Sequence, residues 1–113
     1  MKLSQIQQLF SQDVVKLMQH MSDNGYQFTL GEVFRTPEQA KIYASQGKGI
    51  LHSLHCERLA IDINIFKDGI FLEKNSDYEP LGIYWESLHP KNRWGGRFKR
   101  VDSDHFERNE LPE

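Results

Sequence analysis

Leu59-Ala60-Ile61-Asp62-Ile63-Asn64-Ile65-Phe66 is the stretch that decides the fold of this chain. Successive side chains of a strand alternate between its faces, so Leu59, Ile61, Ile63 and Ile65 share one face and Ala60, Asp62 and Asn64 the other. Asp68-Gly69 follows as a favoured two-residue hairpin turn, and Ile70-Phe71-Leu72 returns antiparallel. A carboxylate within an aliphatic strand is costly unless it is paired or bound to a metal. Asp62 is therefore either a ligand or a residue on the wet face of an edge strand.

Upstream, Leu3, Ile6, Phe10, Val14, Leu17 and Met21 recur at spacings of three and four, predicting an amphipathic helix over about residues 4–23. Ser4 with Gln7 fits a capping box, and Asn24-Gly25 a stop. Tyr26, Phe28 and Leu30 alternate as a short strand running toward Val33-Phe34. Thr36-Pro37-Glu38-Gln39 opens a second helix that ends at Gly47. Residues 47–57 carry no period and read as a loop.

Downstream, residues 73–80 read as a polar connection, residues 81–88 as a short helix stopped by His89-Pro90, and Trp94-Gly95-Gly96 as a turn. A last strand is expected near residues 104–107, with a frayed tail after Arg108. Helices followed by an antiparallel sheet make the class α+β, and residues 1–113 are expected to form a single small domain.

Composition removes several function classes. Hydrophobic residues at 38% and charged residues at 27% describe a globular chain, with seven Phe, four Tyr and two Trp supplying much of the core. A net charge of -2 argues against nucleic-acid binding, although Lys91, Arg93, Arg97, Lys99 and Arg100 thicken one region. The one cysteine, Cys56, excludes a disulfide framework. No apolar run reaches membrane-spanning length, and Met1–Phe10 lacks the features of a secretory leader, so the chain is expected in the cytoplasm as synthesised.

Two clusters carry chemistry: Ser53 to Asp62, and Asp102-Ser103-Asp104-His105-Phe106-Glu107. Together they offer imidazoles and carboxylates, the ligand types of a catalytic zinc that keeps one position for water. His55 lies an odd number of residues before Asp62, so it reaches the Asp62 face only if the entering loop folds back over the strand. His105 brings a third ligand from the last strand, and Asp102, three residues earlier, fits a general base leaning over the metal. No His-Glu-x-x-His helix is present.

Ser53-x-His55, Asp62, Trp94-Gly95-Gly96 and Asp102-x-x-His105-Phe106-Glu107 together resemble the zinc D-alanyl-D-alanine carboxypeptidase and L-alanyl-D-glutamate endopeptidase family, in its phage endolysin branch, over roughly residues 26–107. The resemblance implies a Hedgehog/DD-peptidase-like sheet carrying one zinc ion, with His55, Asp62 and His105 as ligands and Asp102 as base. It implies that Arg35 holds a substrate carboxylate and that Ser53 supports substrate or ligand geometry. It implies a monomeric peptidase that cuts the peptidoglycan stem peptide at L-alanyl-D-glutamate, reaching the wall after release through the membrane. A D,D-carboxypeptidase and a non-catalytic, zinc-stabilised wall-binding phage protein are the alternatives. Where the family has a glycine between the first two ligands, this chain has Arg58.

Bland roles compete at several positions. His20 and His89 are assigned to structure, and His52 is the second choice as ligand. Asp104 is the rival base, expected to point away from His105 into solvent. Arg35 has an ion pair with Glu32 or Glu38 as its competing role. Trp94 is read as a core or cleft-wall residue and Cys56 as an inert thiol.

Overall fold

The structure is a computed structural model and describes residues 1–113. In chain order it contains helix α1 (Leu3–Asp23), strand β1 (Tyr26–Leu30), helix α2 (Pro37–Ser45), a 3-10 turn (Leu54–Glu57), strands β2 (Ala60–Lys67) and β3 (Ile70–Phe71), helix α3 (Asn75–Leu88), strand β4 (Asn92–Trp94), a second 3-10 turn (Gly95–Arg97) and strand β5 (His105–Arg108). The sheet runs β1-β2-β5-β4 with every pairing antiparallel, and β3 folds back on β2. This is the expected α+β arrangement.

The aliphatic face of β2 becomes the core face. Ile61, Ile63 and Ile65 pack with Phe106 and Trp94 against Ile6, Phe10, Leu17 and Met21 of α1 and Tyr78, Leu81 and Trp85 of α3. Trp94 fits because its neighbours are small: a Cβ on Gly82 or Gly96 would collide with the indole. The Asp68-Gly69 turn has positive φ at both residues, 53° and 77°, as the tightest hairpins require.

Three local expectations are corrected. The cap of α1 is Lys2, two residues before the expected Ser4: Gln5, not Gln7, reaches back to the Lys2 N–H at 2.8 Å. Gln7 instead donates to the Glu57 carbonyl at 2.7 Å and ties α1 to the first 3-10 turn. α3 begins at Asn75 rather than Leu81 and continues through Pro80. Tertiary anchors hold that early turn despite the proline, because the buried Tyr78 hydroxyl donates to the Leu72 carbonyl at 2.8 Å and accepts from the Ile65 N–H at 3.3 Å. β1 stops at Leu30 and does not extend to Val33-Phe34.

The core face also buries charge. Arg108, 1% exposed, donates to Asp13 Oδ2 of α1 at 2.8 Å and to Asn92 Oδ1 of β4 at 2.7 Å, and Asn92 donates to the same Asp13 oxygen at 3.1 Å. Such a group is costly to break because the remaining charge has no water to turn to. Asp13→Ala is expected to lower stability by about 3–5 kcal/mol, read as a shifted urea midpoint at constant slope. A loss below about 1 kcal/mol would mean that Glu110, 3.2 Å from Arg108 Nη1, or water takes over the charge.

Candidate metal centre

Asp62 and His105 meet because of strand register. They are directly opposed residues of β2 and β5, so their side chains leave the same face of the sheet, the one opposite the core. His55 arrives as the sequence required, from the loop entering β2. That loop closes into the 3-10 turn Leu54–Glu57, capped by Ser53, whose Oγ accepts from the His55 N–H at 3.2 Å. The turn ends at Arg58 with φ 54° and ψ 38°, the left-handed conformation a glycine would adopt without strain. Arg58 takes that backbone shape and lays its guanidinium over the Phe34 ring at 4.1 Å.

The three side chains converge on one point. His55 Nε2 and His105 Nδ1 each lie 3.3 Å from Asp62 Oδ1, and the donor atoms of all three fall within 4.8 Å of one another. Both imidazoles are buried, and Asp62 is half-buried. Burial would raise the Asp62 carboxyl, but hydrogen bonds from His105 and His55 and their charge bring it down to about 2. Burial would likewise lower His105. Its hydrogen bonds to Asp62 and Glu107, and their charges, raise it instead to about 9.

Sequence reasoning missed the group behind His105. Its Nε2 donates to Glu107 Oε1 at 2.6 Å, leaving Nδ1 to face Asp62. Arg93, opposite Glu107 in the β4–β5 register, holds the other carboxylate oxygen from Nε at 2.7 Å. A carboxylate behind an imidazole fixes the tautomer and orientation a metal needs. Alternation along β5, with His105 and Glu107 two residues apart, was the signal that could have found it.

The loop before β5 brings the acidic residues. Asp102 is half-exposed, with Oδ2 3.8 Å from His105 Nδ1. Asp104 does not point away as expected: its carboxylate lies within 4.8 Å of those of Asp62 and Asp102. The strand begins only at His105, so the alternation that would turn Asp104 outward does not apply to it. Burial, a hydrogen bond with Asp102 and the charge of Asp62 push the Asp104 carboxyl up to about 7. Gly95 seats this loop. A Cβ there would strike the Asp102 carbonyl, while the Gly95 carbonyl accepts from the Asp102 N–H at 3.0 Å. A groove of about 250 Å³ opens beside the acidic loop, walled by Phe71, Leu72, Tyr78 and Val101.

Arg35 stands beside the centre, paired with Glu32 through Nε at 2.9 Å and Nη2 at 2.6 Å. The ion pair that competed with a substrate role is thus present, and Glu38 is not its partner. Nη1 makes no hydrogen bond to protein. His52 is exposed and outside the cluster, and Cys56 supplies no donor to it.

Two histidines and one carboxylate, with further carboxylates alongside, are the donor set of a hydrolytic metal centre that leaves a position open. The residues fit such an ion: His55 Nε2, His105 Nδ1 and Asp62 Oδ1 converge on one point from buried and half-buried side chains, and the Asp102 and Asp104 carboxylates crowd beside Asp62, an excess of negative charge that a cation would neutralise. Residues 46–108, more than half of the chain, match the D-alanyl-D-alanine carboxypeptidase family, and the chain belongs to that family of peptidoglycan peptidases.

Solved structures agree on the fold. The L-Ala D-Glu endopeptidase ChiX of Serratia marcescens is similar over 85% of this chain and 77% of its own, at 19% identity and a TM-score of 0.67. A mutant of the vancomycin-resistance D,D-pentapeptidase VanY, solved in complex with Zn(II), is similar over 90% of this chain and 71% of its own, at 17% identity and a TM-score of 0.59. A comparison with curated protein sequences finds no match. No helix is long and apolar enough to cross a membrane.

The raised His105 value has a measurable consequence. At neutral pH its ring is protonated in the metal-free chain, and a ligand nitrogen must give that proton up. Uptake of a divalent ion at pH 7 is therefore expected to release at least one proton, that of His105 with a fraction from Asp104, and affinity to climb as pH rises toward 9. Calorimetry in buffers of different ionisation enthalpy reads the release directly. Uptake with no proton released would mean that His105 is already neutral at pH 7 or does not hold the ion.

Proposed function

We propose that this chain is a zinc-dependent endopeptidase that hydrolyses the L-alanyl-D-glutamate bond of the peptidoglycan stem peptide, as a phage or prophage endolysin acting on the wall after release through the membrane. The observation that carries the metallopeptidase reading is the convergence of His55 Nε2 and His105 Nδ1 on Asp62 Oδ1, with a further carboxylate, Asp102, within 3.8 Å of His105. His55, Asp62 and His105 hold the ion. Zinc bound there supplies Lewis-acid polarisation of a carbonyl and acidifies a water molecule.

The chain's own residues do the rest. Asp102 Oδ2 takes a proton from the attacking water and returns it to the leaving amine. Half-exposed on its loop, that carboxylate can reach both without leaving the site. Asp104 shares a hydrogen bond with Asp102, and in the metal-free chain it holds a proton up to about 7, so the two carboxylates act as a pair from which Asp102 serves as the base. Arg35 Nη1 grips a substrate carboxylate while Glu32 holds the other side of the guanidinium. The groove beside Asp102 takes the peptide to one side of the scissile bond.

The choice of bond rests on the likeness of Trp94-Gly95-Gly96, Asp102 and His105-Phe106-Glu107 to the phage branch. A second reading, removal of terminal D-alanine, draws on the description of the matched family.

Mass spectrometry of peptidoglycan digested by the zinc-loaded protein separates the two. Fragments with a new glutamate amino terminus are expected; release of single alanines would move the activity to carboxypeptidase. An unchanged digest across several wall types would favour a wall-binding protein. Asp102→Asn is expected to lower kcat by about 10²-fold or more while zinc stays bound. Should Asp104→Asn alone inactivate, the base is Asp104.

A further inference from the structure

We propose that Glu32 is a positioning residue shared by both halves of the site: one carboxylate oxygen sets the tautomer of His55 and aims the Arg35 guanidinium. The inference rests on the zinc-peptidase reading above and concerns a residue that neither the motif resemblance nor the donor set includes.

His55 is the starting point. Its side chain is 3% exposed, its Nε2 faces Asp62, and its Nδ1 has no hydrogen-bond partner. An imidazole that offers the Nε2 lone pair to a cation carries its proton on Nδ1. A buried N–H without an acceptor is costly, and the carboxylate oxygen nearby is Glu32 Oε1 at 3.5 Å. That separation lies at the outer limit of a hydrogen bond, and in the metal-free chain the two atoms do not make one. The same Oε1 accepts from Arg35 Nε and Nη2.

The backbone keeps Glu32 in place. The Gly31 N–H donates to the Asp62 carbonyl at 2.8 Å, the Asp62 N–H to the Glu32 carbonyl at 3.0 Å, and the Arg35 N–H to the His55 carbonyl at 3.1 Å. The segment Gly31–Arg35 is thus bonded to the backbone of two ligands. Gly31 allows this approach, since a Cβ there would sit 3.0 Å from the Asp62 carbonyl oxygen. The result parallels the other imidazole: Glu107 backed by Arg93 stands behind His105, and Glu32 backed by Arg35 stands behind His55. The difference is that Arg35 is also the residue proposed above to grip a substrate carboxylate, so on that reading Glu32 links ligand geometry to substrate grip.

The test compares Glu32→Ala, Glu32→Gln and, as a control in the helix that follows, the exposed Glu38→Ala. Zinc affinity is measured by competition with a chromophoric chelator, and the His55 Nδ1 proton by NMR of the zinc-loaded chain. Glu32→Ala is expected to weaken zinc binding by about 10–100-fold, raise KM for peptidoglycan and lose the protected Nδ1 proton, with Glu38→Ala unchanged. Glu32→Gln keeps an acceptor oxygen, so the proton stays protected but moves upfield. Zinc affinity within about threefold of the parent chain in Glu32→Ala, with the Nδ1 signal unmoved, overturns the proposal. If Glu32→Ala fails to fold, an unshifted Nδ1 proton in Glu32→Gln overturns it instead. A parent chain that takes up no zinc overturns the metallopeptidase reading itself, a result distinct from either.

Discussion

The pairing of Asp62 with His105 across β2 and β5 is the constraint on which the rest depends. A slip of one residue would turn one of the two into the core and the other away from it, because side chains alternate along both strands. The core prevents the slip. On the opposite face Ile61 lies against Phe106 and Phe106 against Trp94 in the same register. The Trp85 indole N–H bridges the Arg93 and Glu107 carbonyls at 3.1 Å each, pinning β4 to β5 from below. Arg108, buried against Asp13, adds a polar lock that no shifted register would satisfy. The packed face is what makes the reactive face accurate.

Two loops complete the centre, and each is held by its backbone together with one side chain. The turn bearing His55 is capped by Ser53 and closed by the left-handed Arg58. The loop bearing Asp102 and Asp104 is seated on Gly95, and its Ser103 carbonyl accepts from the buried Trp94 indole at 2.7 Å. Trp94 thus belongs to the core and steadies the acidic loop at the same time, which is why the Trp-Gly-Gly run precedes the second cluster in the chain. The glycines allow close approach and the tryptophan supplies the bond.

Much of this was legible in the sequence where a single period or motif controlled the outcome. The alternation at Leu59–Phe66 gave β2 and its two faces, the spacing from Leu3 to Met21 gave α1, and Thr36-Pro37 gave the cap of α2, where Thr36 accepts from the Gln39 N–H at 3.1 Å. His55, Asp62 and His105 were read as a set, and the structure brings them together. What escaped depends on tertiary partners. α3 runs through Pro80 because Tyr78 is anchored to Leu72 and Ile65, and no local propensity shows that. Asp104 was misplaced by extending strand alternation into a turn. Arg93 reaches Glu107 from a strand that only pairing and register place beside it, and Glu32, read in the sequence as a partner of Arg35, comes within 3.5 Å of His55 only through the fold.

The charges of the site form one electrostatic problem with two solutions. Glu107 is matched by Arg93 and Glu32 by Arg35, so these four largely cancel. That leaves Asp62, Asp102 and Asp104 around one point, a crowding of carboxylates that cannot all remain ionised unaided. In the metal-free chain, protons relieve it: His105 stays charged up to about 9, and Asp104 holds its proton up to about 7. A divalent cation relieves it better, since it brings two charges to the spot where the donor atoms already point, and it draws raised carboxyl values back down. The same geometry therefore accounts for a sheet that can fold around protonated ligands and for a centre that exchanges those protons for a metal. What the fold supplies is the register that keeps the negative groups from moving apart.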